Sequence, residues 1–245
     1  MENGVLLLVL CGAGVAGVVA GMTGLGTALT ALAFWLHVMD PIVAVPLAAA
    51  AAVTSHLVTL TVIRHGIVWS RLWPFLVAGL LGLPLGVHAL AFLDADMAKA
   101  GLGVFLILYC GYGLLVATPP RVRGGGRAAD GAVGLAGGFL GGFAGVSGPL
   151  PTIWSGLRGW PKDEQRGVFQ PFNLVILTLA TLGHGLEGRF TPLEPMVLLA
   201  TLAVAAAGAW IGVQVYRRVS DFGFRRAVLT LLLIAGLGHV VGWLA

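Results

Sequence analysis

Charge is what this 245-residue chain has least of: Asp, Glu, Lys and Arg make up 10% of it, against 58% hydrophobic residues. An ordinary soluble domain carries about 25% charged residues. A water-exposed globular fold is therefore excluded, and the mean hydropathy of +0.97 agrees. Cysteine is scarce too. Cys11 and Cys110 each lie in an apolar stretch without a partner motif, which argues against a disulfide scaffold or a metal site and reads both as inert buried thiols. No Walker-type loop occurs, so ATP does not drive the protein directly, and no cofactor or catalytic metal is implied. Met1-Glu2-Asn3 lacks the basic stretch of a signal peptide and reads as the start of the first membrane segment. The net charge of +4 does not point to a nucleic-acid partner, because the basic residues cluster in short loops as they do on the cytoplasmic side of membrane proteins.

What is abundant is apolar sequence long enough to span a bilayer, about 20 residues at a time. Segments fall at 4–38, 42–63, 72–92, 97–117, 128–157, 167–186, 193–215 and 227–245. The partner implied throughout is the lipid bilayer. Between the fourth and fifth segments, Thr118-Pro-Pro-Arg-Val-Arg-Gly-Gly-Gly-Arg127 is a basic linker close to the midpoint.

A glycine-rich element occurs on both sides of that linker. Gly14, Gly17, Gly21 and Gly24 correspond in order to Gly134, Gly137, Gly141 and Gly145. Gly82 and Gly86 are matched by Gly208 and Gly212, and Asp96 by Asp221. The chain divides into a first repeat, 1–117, the linker, 118–127, and a second repeat, 128–245. If every segment crosses once, the 14 basic residues split six against eight between the faces, which sets no orientation. If 4–38 and 128–157 instead go in and return to the same side, all but Lys99 and Arg189 share one face. Each repeat then has three full crossings and the two are inverted relative to one another. The expected fold is an all-α polytopic membrane protein of two inverted repeats, each a glycine-rich hairpin plus three transmembrane helices. Two very short crossings per glycine-rich segment would give the same topology. The linker and the Arg217–Arg226 loop are expected in the cytoplasm and both termini outside.

Turns inside a membrane leave backbone N–H groups unpaired at the start of the returning helix, where a dipole of about half a charge adds to them. That makes the turns Met22-Thr23-Gly24-Leu25-Gly26-Thr27 and Gly145-Val146-Ser147-Gly148-Pro149 candidate substrate-binding elements for a small anion, with Thr23, Thr27, Ser147 and Thr152 as hydroxyl donors. The alternative for glycine is close helix packing, and Gly14, Gly17, Gly82, Gly86, Gly208 and Gly212 are assigned to it. His56, mid-segment beside Thr54 and Ser55, is both a binding candidate and the candidate carrier of a coupling proton. Its structural alternative is a neutral histidine bonded to a neighbouring helix. Gln170 and Asn173 complete the set, with Pro171 expected to open or kink their helix. His37, His65, His88 and His184, and Trp35, Trp69, Trp73 and Trp160, lie near segment ends and are read as interfacial.

The two glycine turns and the four-plus-four plan resemble the TauE/SafE sulfite exporter family, also called the toluene sulfonate uptake permease family, over nearly the whole chain. The resemblance implies a multi-pass transporter of the bacterial inner membrane for sulfite, thiosulfate or an organosulfonate. It maps Thr23, Gly24, Gly26, Ser147, Gly148 and Pro149 onto the family's motifs, whereas His56, Gln170 and Asn173 rest on depth and polarity. A passive anion channel with the same site is one alternative. Another is an intramembrane serine hydrolase using Gly145-Val-Ser147-Gly148 with His184 or His239 as base.

Overall fold

The computed structural model describes residues 3–60, 67–92, 94–116, 121–122, 124–216 and most of 229–241. Among the described residues the chain is all helix. The helices are α1 (Asn3–Thr23), α2 (Thr27–Trp35), α3 (Pro41–Leu60), α4 (Trp69–Phe92), α5 (Ala95–Leu115), α6 (Gly126–Ala144), α7 (Pro149–Leu157), α8 (Lys162–Leu186) and α9 (Pro195–Tyr216). The described residues between 229 and 241 are helical as well. Five of these helices, α1, α3, α4, α5 and α9, are long and apolar enough to cross a bilayer. The protein is thus an all-α, multi-pass membrane protein. His65 and the Arg217–Arg226 loop lie outside the described residues.

Each glycine-rich segment is a long helix followed by a short one, and glycine makes the break. Gly24 (φ 75°) and Gly145 (φ 65°) both adopt the left-handed conformation that ends a helix. Gly24 N–H bonds the Ala20 carbonyl at 2.7 Å, and Gly145 N–H bonds the Gly141 carbonyl at 3.1 Å. Restart differs between the two. Gly26 (φ 93°) caps α2, while Pro149 occupies the first position of α7, where its missing N–H costs nothing. The nine-residue helices α2 and α7 are each about 14 Å long, under half of a ~30 Å hydrocarbon core. The short helix folds back along its predecessor. Trp35, at the foot of α2, donates its indole N–H to the Val9 carbonyl of α1 at 3.1 Å, and Trp154 of α7 donates to Asp130 of α6 at 2.6 Å.

Helix packing crosses the linker. α1 lies against α9, and α6 against α4, so the first helix of each half rests on the fourth of the other. Glycines on both partners bring the backbones together. A Cβ on Gly17 would sit 2.3 Å from the Ala205 carbonyl oxygen, and one on Gly212 would sit 2.3 Å from that of Val18. On the other pair, Gly82 faces the Leu135 carbonyl and Gly138 that of Gly79, at 2.1 and 2.0 Å. Gly14, Gly86 and Gly208 lie in the same seams. Between the pairs, α3 packs on α8.

Several segment-end expectations are corrected here. Trp35 is fully buried, held by its bond to Val9, whereas Trp69 and Trp73 are exposed. Cys11 is exposed on the outer side of α1, which is apolar all round and keeps one flank for lipid; Cys110 is buried. Pro171 does not open its helix, since α8 begins nine residues earlier at Lys162. The polar first turns of α8 hide that start from a hydropathy count.

Candidate functional site

The two turns meet beside the α3–α8 pair and line a small, partly open cavity. Leu25, Gly26, Thr27, Ala28 and Leu29 line it from the first turn, and Gly145 to Pro149 from the second. Ala52 and His56 of α3, with Asn173 and Leu177 of α8, form the remaining wall. Asn173 is near the midpoint of α8, so the cavity is at mid-depth of that helix. It offers ≈ 20 Å³ of room for the centre of a water-sized molecule, where about 10–15 Å³ suffices for one water. Only a small occupant fits this conformation.

The donors come unequally from the two halves. In α2 the Thr30 N–H reaches the Gly26 carbonyl at 2.9 Å, leaving the Thr27, Ala28 and Leu29 N–H groups without an acceptor among the described residues. The Thr27 hydroxyl is 1% exposed and also without a partner. In α7 the corresponding positions are Pro149, Leu150 and Pro151, of which only Leu150 has an N–H. The second half compensates with side chains. Ser147 donates its hydroxyl to Asn173 Oδ1 at 2.8 Å, and this leaves the Asn173 amide NH₂ as a donor beside Gly148.

The other sequence candidates lie off the cavity wall. Thr23 folds back on its own turn, its hydroxyl within reach of both the Val19 and Leu25 carbonyls as acceptors for its one proton, and Thr152 donates to that of Gly148 at 2.8 Å. Neither lines the cavity, and neither do Met22, Gly24 or Gln170. Gln170 instead supports the first turn, donating from Nε2 to the Gly24 carbonyl at 3.4 Å, with its Oε1 buried and unpartnered. Gly145 makes the reciprocal approach to α3, facing the Val45 carbonyl. Val45 and Gln170 each precede a proline, Pro46 and Pro171, 125 residues apart. Ala52 and Leu177, which face each other across the cavity wall, are separated by the same interval.

His56 is 3% exposed and its Nδ1 has no partner among the described residues. It is the one titratable group among the lining residues. His184 is fully buried rather than interfacial, because Arg189 folds over it: Arg189 donates to His184 Nδ1 at 2.9 Å and to the Val87 carbonyl at 2.8 Å, and pairs with Glu187. Counting apolar residues places a histidine along a helix but says nothing of a loop arginine covering it. Ser147 donates its proton to Asn173 and not to His184, while His239 lies outside the described residues.

The chain matches a known protein family. The profile of the family described as "Sulfite exporter TauE/SafE" covers residues 8–238. No curated protein and no solved structure matches the chain at comparable stringency.

Proposed function

Because this chain belongs to the TauE/SafE sulfite exporter family, we propose that the cavity between its two turns binds a small sulfur oxyanion or organosulfonate for secondary transport across a bacterial inner membrane. One observation carries the reading. Three free N–H groups at the start of α2 lie with a buried, unpartnered Thr27 hydroxyl at one partly open cavity. A buried donor without an acceptor costs about 1–3 kcal/mol, so such a cluster is poised for a ligand with acceptor oxygens. No lysine or arginine lines the space. Dipoles and amides hold an anion without the tight salt bridge that would hinder its release. Ser147 and Asn173 contribute from the opposite side, and His56 is the place for a coupling proton.

The reading includes two inverted repeats, 1–117 and 128–245, with the 118–127 linker in the cytoplasm. The reciprocal seating of α1 on α9 and α6 on α4 supports it. Cysteines placed at Arg121 and Arg218 are expected to react with a membrane-impermeant thiol reagent from the cytoplasmic face. Labelling from opposite faces would rule out the inverted plan.

Affinity measurements on purified, monodisperse protein test the site itself. A charge-assisted hydrogen bond contributes about 1.5–3 kcal/mol. Thr27→Val, which keeps the shape and removes the hydroxyl, is expected to weaken binding of sulfite, thiosulfate or methanesulfonate by about one to two orders of magnitude. Ser147→Ala releases Asn173 and weakens binding through it. Thr23→Val, whose hydroxyl is spent on its own turn, changes affinity far less. Parent-like affinity in both Thr27→Val and Ser147→Ala moves the site elsewhere.

A further inference from the structure

Resting on that reading of the cavity, we propose that the occupied site holds one net negative charge: a monoanion enters alone, whereas a dianion enters only together with a proton on His56.

The charge available to balance a ligand is small and can be counted. Two helix N-termini, those of α2 and α7, face the cavity, and each contributes about half a positive charge. Their sum is at most about one charge. The C-terminal ends of α1 and α6 stop at the same two turns and subtract from it. Among the described lining residues no side-chain cation adds to the total. The buried guanidinium of Arg189 is matched by Glu187 and is not among the lining residues.

A second ligand charge therefore finds nothing to balance it, and the walls make that expensive. Ala28, Leu29, Ala52, Val146 and Leu177 are apolar, and the cost of taking an ion out of water rises with the square of its charge. Among the lining residues, the only group that can supply another positive charge is the imidazole of His56, whose buried Nδ1 has no partner among the described residues. Around it, α2 and α7 present no titratable side chain to the cavity, α8 presents Asn173 and Leu177, and the turns present Thr27 and Ser147. A proton taken up by His56 turns a dianion plus the site into the same net charge as a monoanion with neutral histidine. Whether a proton travels with the substrate is then decided by the charge of the substrate.

Binding measurements on the purified full-length protein separate the cases, using methanesulfonate as a permanent monoanion and thiosulfate as a dianion of similar compactness. Methanesulfonate affinity is expected to be flat across neutral pH. Thiosulfate affinity is expected to weaken about tenfold for each pH unit that depletes protonated His56, because only the competent fraction binds. In weak buffer, thiosulfate binding takes up close to one proton and methanesulfonate close to none. His56→Gln should flatten the thiosulfate slope, whatever absolute affinity it retains. If that variant does not fold, the proton uptake of the parent with the two anions decides alone. Equal proton uptake with both anions, or a thiosulfate slope that survives in His56→Gln, overturns the proposal while leaving an anion site in place. Failure of both anions to bind overturns the site reading and the charge rule with it.

Discussion

Valine at Gly138 is expected to leave no folded protein to assay. A Cβ at this position lies 2.0 Å from the Gly79 carbonyl oxygen and 2.6 Å from both the carbonyl carbon and Cα of the same residue. All three obstacles are backbone of α4, so no rotamer change relieves them. The seam extends in both directions, with Gly134 against Phe75, Gly142 against Leu83 and Gly86 against Phe139, each with a Cβ-to-backbone distance of 2.5 Å or less. Parting the helices to admit one side chain would open this whole contact. In lipid no hydrophobic effect draws apolar helices together, and close van der Waals contact does that work. Overpacking costs about 1–3 kcal/mol even where neighbours can yield, and here they cannot, while total stabilities are only about 5–15 kcal/mol. Size-exclusion profiles and melting curves in detergent provide the check. Gly138→Ala should already melt far below the parent, and Gly111→Ala, with nothing within 4 Å of the added atom, should not. A monodisperse Gly138→Val with the melting temperature of the parent would show that α4 and α6 are not seated as described.

Gly148→Val should do the reverse, keeping the fold and losing the ligand. Its added Cβ would meet the Asn173 amide, with Nδ2 at 2.5 Å and Oδ1 at 3.1 Å. Those atoms end a side chain that can swing aside, and Gly148 has the ordinary φ of −78°, so the backbone is not strained. When Asn173 moves, the Ser147 hydroxyl loses its 2.8 Å acceptor and valine methyls occupy the cavity. Losing one charge-assisted bond alone is worth about one to two orders of magnitude in affinity, and filling the cavity should make binding undetectable. The measurement is anion affinity of the variant beside its melting temperature. Retained affinity would place the ligand away from the second turn. The paired outcomes distinguish glycines that admit another backbone from those that leave space for a ligand.

That distinction was only partly legible in the sequence. The duplicated glycine run located both turns, and the alignment of Gly24 with Gly145 matched two residues that do end their helices in the same left-handed conformation. Which hydroxyl faces the cavity was not legible. Thr23 and Thr27 both flank the first turn, but Thr23 belongs to the last turn of α1 and bonds back to the Val19 carbonyl, whereas Thr27 opens α2, where it has no acceptor. That choice depends on where one helix stops and the next begins, to within a residue. The inequality of the turns was visible as Pro149 and Pro151 against Thr27 and Leu29, once the start of each short helix is known. The covering of His184 by Arg189 and of Trp35 by α1 depends on tertiary neighbours that linear position does not encode.

The reciprocal seating of the helices also has a consequence in time. Gly17 needs the backbone around Ala205, which follows it by 188 residues. At about 5–20 residues per second, the ribosome takes roughly 10–40 s to supply that partner. Throughout this interval the glycine face of α1 lies open in the membrane, able to adhere to the wrong helix. α6 waits for nothing, since α4 precedes it. Chain order alone thus makes both partners of the α4–α6 seam available well before those of the α1–α9 seam, while α2 is at hand to cover another side of α1.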